Sequence, residues 1–316
     1  MSTPPSSSRA RLLGIAAIVL ANLLGGASYP AQKLAVEGLP PATVTCLRNL
    51  VAFVALGVLM LRRGTRLQGW GRRDLVRVSW LGTIAFAVPM WLGIVGVERS
   101  SAANASILVL LEPVTIVALA WTFLGESIGM AKLASLALGL AGALAIVLEG
   151  ASLGDLFSGE HFAGNAILAL HGVLWGLHTP IAKPLSARHD PLALTWLTVA
   201  VSLPILVVAA ALEAPEWRSG PELWPALAWT AGLGLTVSFL AVLLWLGALR
   251  FIPASSVAGF VFLQPLTGIL IGTLVLDERL STAALVGGGL IVLGVALDVT
   301  VTARRGREQA VGGAAS

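Results

Sequence analysis

The chain has 316 residues, of which 57% are hydrophobic and only 11% charged, whereas soluble domains carry roughly 25% charged residues. With a mean hydropathy of +0.89 and a net charge of only +4, this composition excludes a soluble enzyme, a disordered chain and a nucleic-acid-binding protein. The single cysteine, Cys46, excludes an internal disulfide and a paired-cysteine zinc site. The composition therefore predicts a polytopic membrane protein without a cofactor.

Ten apolar stretches are candidates for helices that cross a bilayer, which takes about 20 residues each. In chain order they run over 12–32, 42–61, 78–97, 102–124, 133–148, 162–182, 191–212, 224–249, 254–276 and 283–301. The connections between them are short and leave no room for a soluble domain. The prediction is an all-α integral membrane protein with tails at 1–11 and 302–316 and a connector at 149–161.

The distribution of lysine and arginine predicts the orientation of these spans. If the N-terminus is cytoplasmic, fifteen basic residues fall on the cytoplasmic side, four fall outside, and Arg48 lies within a span. Basic residues are enriched in cytoplasmic loops of membrane proteins. Both termini are therefore predicted to be cytoplasmic, in a bacterial-type inner membrane, and the basic segment 62–77 is predicted to fix orientation.

The chain contains an internal duplication. Residues 98–128 align with residues 250–280 at an offset of 152. The matched pairs are Glu112-Pro113 with Gln264-Pro265, Leu111 with Leu263, Thr115 with Thr267, and Gly125-Glu126 with Asp277-Glu278. At an offset of 150, Gly26 to Pro30 falls on Gly176 to Pro180, and Lys33 falls on Lys183.

The duplication gives five spans to each half, 12–148 and 162–301. An odd repeat duplicated in one chain inserts its second copy upside down. This predicts two inverted five-helix repeats around a central cavity, with a binding site near the midplane where the halves meet.

The chain resembles the drug/metabolite transporter superfamily of the EamA type. The resemblance rests on the ten spans in two halves, a first helix interrupted by proline in each half, the Glu/Gln-Pro pairs followed by Gly/Asp-Glu, and Arg48 in the second helix. The second half departs from the pattern, because it has Thr198 where the first has Arg48. The resemblance implies an all-helical basket with a central cavity and transport, often export, of small metabolites.

Two charged residues within spans are the main candidates for substrate binding. Glu112 is the eleventh residue of its predicted span, about 15 Å from the outer end, where a carboxylate usually faces a bundle interior or a water-filled pathway. Arg48 lies roughly 9 Å deep. It either snorkels, pairs with Glu112, or binds an anionic substrate group. Glu112 either exchanges a proton, binds the substrate, or forms a structural hydrogen bond beside Pro113.

Polar and aromatic residues on the first helix of each half are further candidates. Asn22, Gly26, Tyr29 and Lys33 share one helix face, and Gly172, Gly176, Thr179 and Lys183 follow the same spacing in the second half, with His171, Trp175 and His178 adjoining. Such a face lines a cavity or, through its glycines, packs closely against another helix. The predicted substrate-binding residues are Glu112, Gln264, Arg48, Asn22, Tyr29, His178, Trp175 and Trp91. The predicted gating residues are Pro30, Pro180, Pro113 and Pro265, and no metal site is predicted.

The sequence thus predicts a secondary transporter, not an enzyme, that moves a small organic metabolite, such as an amino acid or a related amphiphile, by alternating access. Export and proton coupling are left open, as is a monomeric or homodimeric state. The alternatives are an integral membrane enzyme that uses Glu112 with His171 and His178, or a channel.

Overall fold

The computed structural model describes residues 8–100, 102–148, 154, 159, 161–213, 220–267, 270 and 281–314. Within these ranges the secondary structure is helical and no strand occurs. The helices are α1 Ser8–Val36, α2 Pro41–Arg63, α3 Arg72–Gly82, α4 Val88–Glu98, α5 Ala102–Leu108, α6 Leu111–Leu124, α7 Met130–Val147, α8 Phe162–Ser186, α9 Pro191–Glu213, α10 Leu223–Leu233, α11 Val242–Ala248, α12 Ala254–Val261 and α13 Thr282–Ala314.

Seven helices of the described ranges are long and apolar enough to cross a membrane, and two shorter apolar helices, Leu111–Leu124 and Ala254–Thr267, accompany them. The seven are Arg9–Ser28, Pro41–Arg63, Arg72–Gly96, Met130–Val147, Pro191–Glu213, Leu223–Ala248 and Thr282–Val301. An all-helical membrane protein is therefore confirmed. The count of ten inverted spans stays a prediction.

The fourth span is broken near its middle. Helix α5 ends at Leu108 and α6 begins at Leu111. A proline ring collides with the carbonyl four residues before it, which for Pro113 is that of Val109, and this carbonyl instead accepts from the Glu112 amide at 3.0 Å. In the second half, α12 likewise stops at Val261, four residues before Pro265.

Pro30 and Pro180 do not break their helices. Both α1 and α8 continue through them, so the expected interruption of the first helix in each half is not present. A proline removes a single backbone hydrogen bond, and the bonds of neighbouring turns keep a membrane helix continuous.

Two π-helical segments, which the sequence analysis did not foresee, occupy equivalent places in the two halves. Thr83–Ala87 joins α3 to α4, and Gly234–Ala241 joins α10 to α11. The offset of 152 that aligns the halves carries 83–87 onto 235–239. Segments of this type often occur at functional sites.

The helices of the two halves pack on each other to form the interior. Helix α2 lies against α9, α8 lies against α4 and α6, and α1 lies against α10 and α11. Helices α7 and α13 pack mainly against each other, with Gly142 facing Gly287 at the closest approach. This arrangement leaves the space between the two halves to α1, α2, α4, α6, α8 and α11.

The first helix of each half crosses the fourth span of the other half at a glycine. A Cβ atom on Gly26 would lie 2.6 Å from the Gln264 carbonyl oxygen and 2.8 Å from Thr267 Cβ. A Cβ atom on Gly176 would lie 2.5 Å from Thr115 Cβ and 3.0 Å from the carbonyl oxygen of Glu112. Only glycine permits this approach, which brings residues 112 and 264 to the contact between the halves.

Candidate functional site

A central cavity of about 140 Å³ lies between the two halves. Residues from both halves line it, and the polar ones are Ser28, Gln32, Arg48, Glu112, His178 and Gln264. Its aromatic lining consists of Phe86, Trp175, Trp245 and the His178 ring. A mostly apolar pocket with a few convergent polar groups is the usual form of a small-molecule site.

Arg48 presents part of its guanidinium to this cavity. The residue is only 3% exposed, and its Nε donates to Ser238 Oγ at 3.0 Å, across the contact with the second π-helical segment. Among the described residues, no acidic side chain pairs with Arg48. Because Ser238 fixes one edge of the guanidinium, the terminal fork is oriented for a planar anion such as a carboxylate.

Glu112 lies on the same cavity and is 2% exposed. It is the second residue of α6, so the helix break places it at the start of a half-helix inside the protein. Its carboxylate has no hydrogen-bond donor within the described ranges, and it does not pair with Arg48. The cavity therefore contains one fixed basic group and one separate acidic group.

Gln264, which matches Glu112 in the second half, has a different environment. Its Nε2 donates to Asn22 Oδ1 at 3.1 Å, and Asn22 Nδ2 donates in turn to the Ile18 carbonyl at 2.8 Å. The residue equivalent to Asn22 in the second half is Gly172, which has no side chain to offer Glu112. The two halves thus differ at the position where an acidic side chain of the first half faces the cavity.

An aromatic wall forms another side of the cavity. Trp175 stacks with Phe86 at a centroid distance of 5.8 Å and with His178 at 5.7 Å. Trp245 is fixed by a hydrogen bond of 3.1 Å from its Nε1 to Thr179 Oγ1. His178 Nε2 is buried and has no partner among the residues described, so the wall combines an apolar surface with one unpaired ring nitrogen.

The predicted polar face of α1 is rotated by one residue from the face that lines the cavity. The lining residues are Ala21, Gly25, Ser28 and Gln32, each one position before a predicted residue. Asn22 reaches the site through Gln264, Gly26 packs against the other half, and Lys33 is exposed. The Tyr29 side chain lies outside the described residues.

The remaining candidates are distributed as follows. Trp91 is half-buried and does not line the cavity. His171 Nδ1 lies 2.7 Å from the Pro89 carbonyl oxygen, which assigns it to helix packing. Pro113 and Pro265 follow the two pseudo-equivalent site residues directly, whereas Pro30 is exposed and Pro180 buried within continuous helices. No cluster of three metal-ligating side chains occurs among the residues that the structure describes.

Several functional candidates were missed from the sequence. Phe86, Met90 and Trp245 look like ordinary membrane-core residues in an apolar span, and Ser238 resembles the many serines that bond to their own helix. No sequence signal marks them, because the π-helical segments that contain Phe86 and Ser238 are visible only in the structure.

Comparison with known proteins identifies the family of the chain. The EamA-like transporter family matches the chain twice, over residues 12–148 and 162–300. The chain therefore belongs to the EamA-like transporter family, and it is a membrane transporter.

Individual relatives resemble the chain over most of its length. An uncharacterized transporter of Bacillus subtilis, YvbV, is 27% identical over 87% of this chain and 88% of its own. A probable terminal-alkyne amino-acid exporter of Streptantibioticus cattleyicolor is 28% identical over 94% of this chain and 97% of its own. A solved crystal structure covers 95% of this chain and 99% of its own, with a TM-score of 0.75 at 20% identity, so its fold is shared.

Proposed function

We propose that this transporter exports a zwitterionic amino acid with an apolar or unsaturated side chain, by alternating access of two inverted five-helix halves. The observation that carries the proposal is that Arg48 and Glu112 are both buried, face one cavity and are not paired with each other. Unpaired charges inside a membrane protein are costly and typically mark a substrate or ion pathway.

Each end of an amino acid has a partner in this arrangement. The Arg48 fork binds the carboxylate in two parallel hydrogen bonds, and the Glu112 carboxylate binds the ammonium group. The Trp175, Phe86 and Trp245 rings then contact the side chain, and they exclude water from it. The amino-acid exporter to which the chain is similar supports both the substrate class and the direction.

The proposed transport cycle rests on the relation between the halves. Three features occur at matching positions of the two halves. They are the glycine crossings at Gly26 and Gly176, the broken helices before Pro113 and Pro265, and the two π-helical segments. Two similar halves have two similar ways of packing, which places the opposite open states close in energy. We propose cytoplasmic termini in an inner membrane, from the asymmetry of basic residues.

A thermal-shift screen of the purified protein tests the substrate class. The screen compares apolar amino acids with the amines that lack their carboxylate, the acids that lack their amino group, and nucleosides. The proposal predicts that only amino acids stabilise strongly, since a ligand that binds the folded state raises the unfolding temperature with its concentration. Equal stabilisation by an amino acid and its decarboxylated amine would refute the proposed role of Arg48 as the partner of the carboxylate.

A further inference from the structure

The central cavity lies nearer to one membrane face than to the other. We call the membrane face at which α1 begins the terminal face. The cavity-lining residues of α1 run from Ala21 to Gln32, in the second half of that helix, and Arg48 lies in the first third of α2. In the proposed ten-helix topology, the cavity therefore extends from the midplane towards the opposite face. The lining residue nearest to the terminal face is Trp245, near the end of α11, which is bonded to Thr179.

Beyond Trp245, a lysine holds the end of α11. Lys183, near the end of α8, donates from Nζ to the Leu249 carbonyl at 2.5 Å and to the Ile252 carbonyl at 2.6 Å. These carbonyls lie just after α11, where the last carbonyls of a helix have no partner within the helix. A cation at this position also interacts favourably with the helix dipole.

A glutamate holds the start of the next helix in the same way. Glu126, which follows α6, accepts from the Ala254 amide at 2.8 Å and from the Ser255 amide at 2.9 Å. It also accepts from Ser255 Oγ at 2.6 Å. The connection 249–255 is therefore fixed at both ends by charged side chains of other helices. No direct ion pair joins Lys183 to Glu126 in the described ranges, although the two charges interact.

We propose that Lys183 and Glu126 form a latch that keeps the terminal face closed, and that each transport cycle breaks and remakes their five bonds to the connection 249–255. This inference rests on the proposed alternating access. The path from the cavity to the terminal face passes Trp245 and Thr179, so opening it requires α11 and α12 to part from α8 and from the end of α6. Bonds from charged groups are the strongest available at this place.

The duplication extends the latch to the opposite face. Lys183 corresponds to Lys33, and Glu126 corresponds to Glu278. The connection 249–255 corresponds to 97–103. Lys33 is exposed in this structure, and Glu278 lies outside the described residues. When the terminal face opens, Lys33 takes the position at the end of α4 that Lys183 holds here at the end of α11, so that one lysine is engaged in each state.

Cysteine accessibility in membrane vesicles tests the latch without a substrate. The reporters are single cysteines in a Cys46→Ala background. Ser28→Cys reports on the cavity. Thr179→Cys reports on the path to the terminal face, because Thr179 is fully buried in this structure. A membrane-impermeant thiol reagent is applied from each side separately. We expect Lys183→Met to raise the labelling rate of Thr179→Cys from the terminal face roughly tenfold, because two charge-assisted bonds are lost. We also expect it to lower the labelling rate of Ser28→Cys from the opposite face.

Other variants make the test two-sided. Glu126→Gln should change both labelling rates in the same direction as Lys183→Met, and it replaces Lys183→Met in the test if Lys183→Met does not fold. Lys183→Arg keeps the charge and should give the parent labelling rates. Lys33→Met should lower Thr179→Cys labelling. Lys132→Met is the matched control, because it breaks a buried ion pair with Asp298 on α13 and should leave the ratio of the two rates unchanged.

Two results would overturn the latch: unchanged labelling at both reporters, or faster labelling at both, which indicates general loosening. Because no substrate is used, an incorrect amino-acid assignment leaves this test intact. Conversely, a failed latch leaves the substrate screen unaffected.

Discussion

Replacing Arg48 with lysine tests the carboxylate site most sharply, because lysine keeps the charge and removes the fork. Arg48 is held by one bond to Ser238 Oγ, so its two terminal nitrogens remain for the ligand. Lysine is a point charge that makes at most one of these two bonds well. Since a hydrogen bond to a charged group contributes about 1.5–3 kcal/mol, Arg48→Lys should weaken amino-acid binding by about tenfold to 150-fold.

The assay pairs this variant with a change in the ligand. Calorimetry compares an apolar amino acid with its decarboxylated amine, whose affinity Arg48→Lys should leave unchanged because the amine has no carboxylate to lose. Ser238→Ala supplies a graded control. It removes only the bond that orients the guanidinium and should cost about 1 kcal/mol, or about fivefold in affinity. Equal weakening of both ligands by Arg48→Lys would show that Arg48 supports the fold instead of the carboxylate.

Further substitutions test the rest of the site and the fold. Glu112→Gln should weaken amino-acid binding at every pH while leaving the deaminated acid unaffected. Loss of pH-gradient-driven accumulation with exchange spared would instead assign Glu112 to proton coupling. Pro113→Ala and Pro265→Ala should slow turnover more than they weaken binding, because they remove the cause of the helix breaks; unchanged turnover in both would exclude a gating role. Gly26→Ala and Gly176→Ala should each destabilise the protein by about 1–3 kcal/mol through overpacking, measured by thermal unfolding. The control is Gly232→Ala, because a methyl group there meets no atom within 4 Å. Equal melting temperatures of all three variants would contradict the close crossings.

The helical fold was largely predictable from sequence, because a bilayer demands long apolar stretches and little else. Spans 42–61 and 191–212 agree closely with α2 and α9. The positions of the helix breaks were predicted less accurately. Proline is visible in the sequence, but the carbonyl that it displaces lies four residues earlier. The fourth span is therefore broken at Val109 and not at Pro113.

Site residues were predictable from the sequence when their residue type is rare in a membrane span, and were not predictable when their type is common there. The predicted spans contain three charged residues, Arg48, Glu112 and Asp298. Arg48 and Glu112 both lie on the cavity, whereas Asp298 pairs with Lys132. The α1 face was misplaced by one residue because glycines suit both cavity lining and close packing, and only the contact of Gly26 with Gln264 shows which applies. Ser238 and Trp245 carry no sequence signal, since their roles depend on partners far along the chain.

Counterflow in proteoliposomes tests most directly whether this cavity binds an amino acid and carries it across the membrane in a closed cycle. In this assay, unlabelled amino acid is trapped inside and labelled amino acid is added outside. We predict transient accumulation of label above equilibrium in the parent protein and its loss in Arg48→Lys at subsaturating concentration. Label that equilibrates without accumulation, at a rate insensitive to the trapped amino acid, would contradict a carrier and indicate a channel.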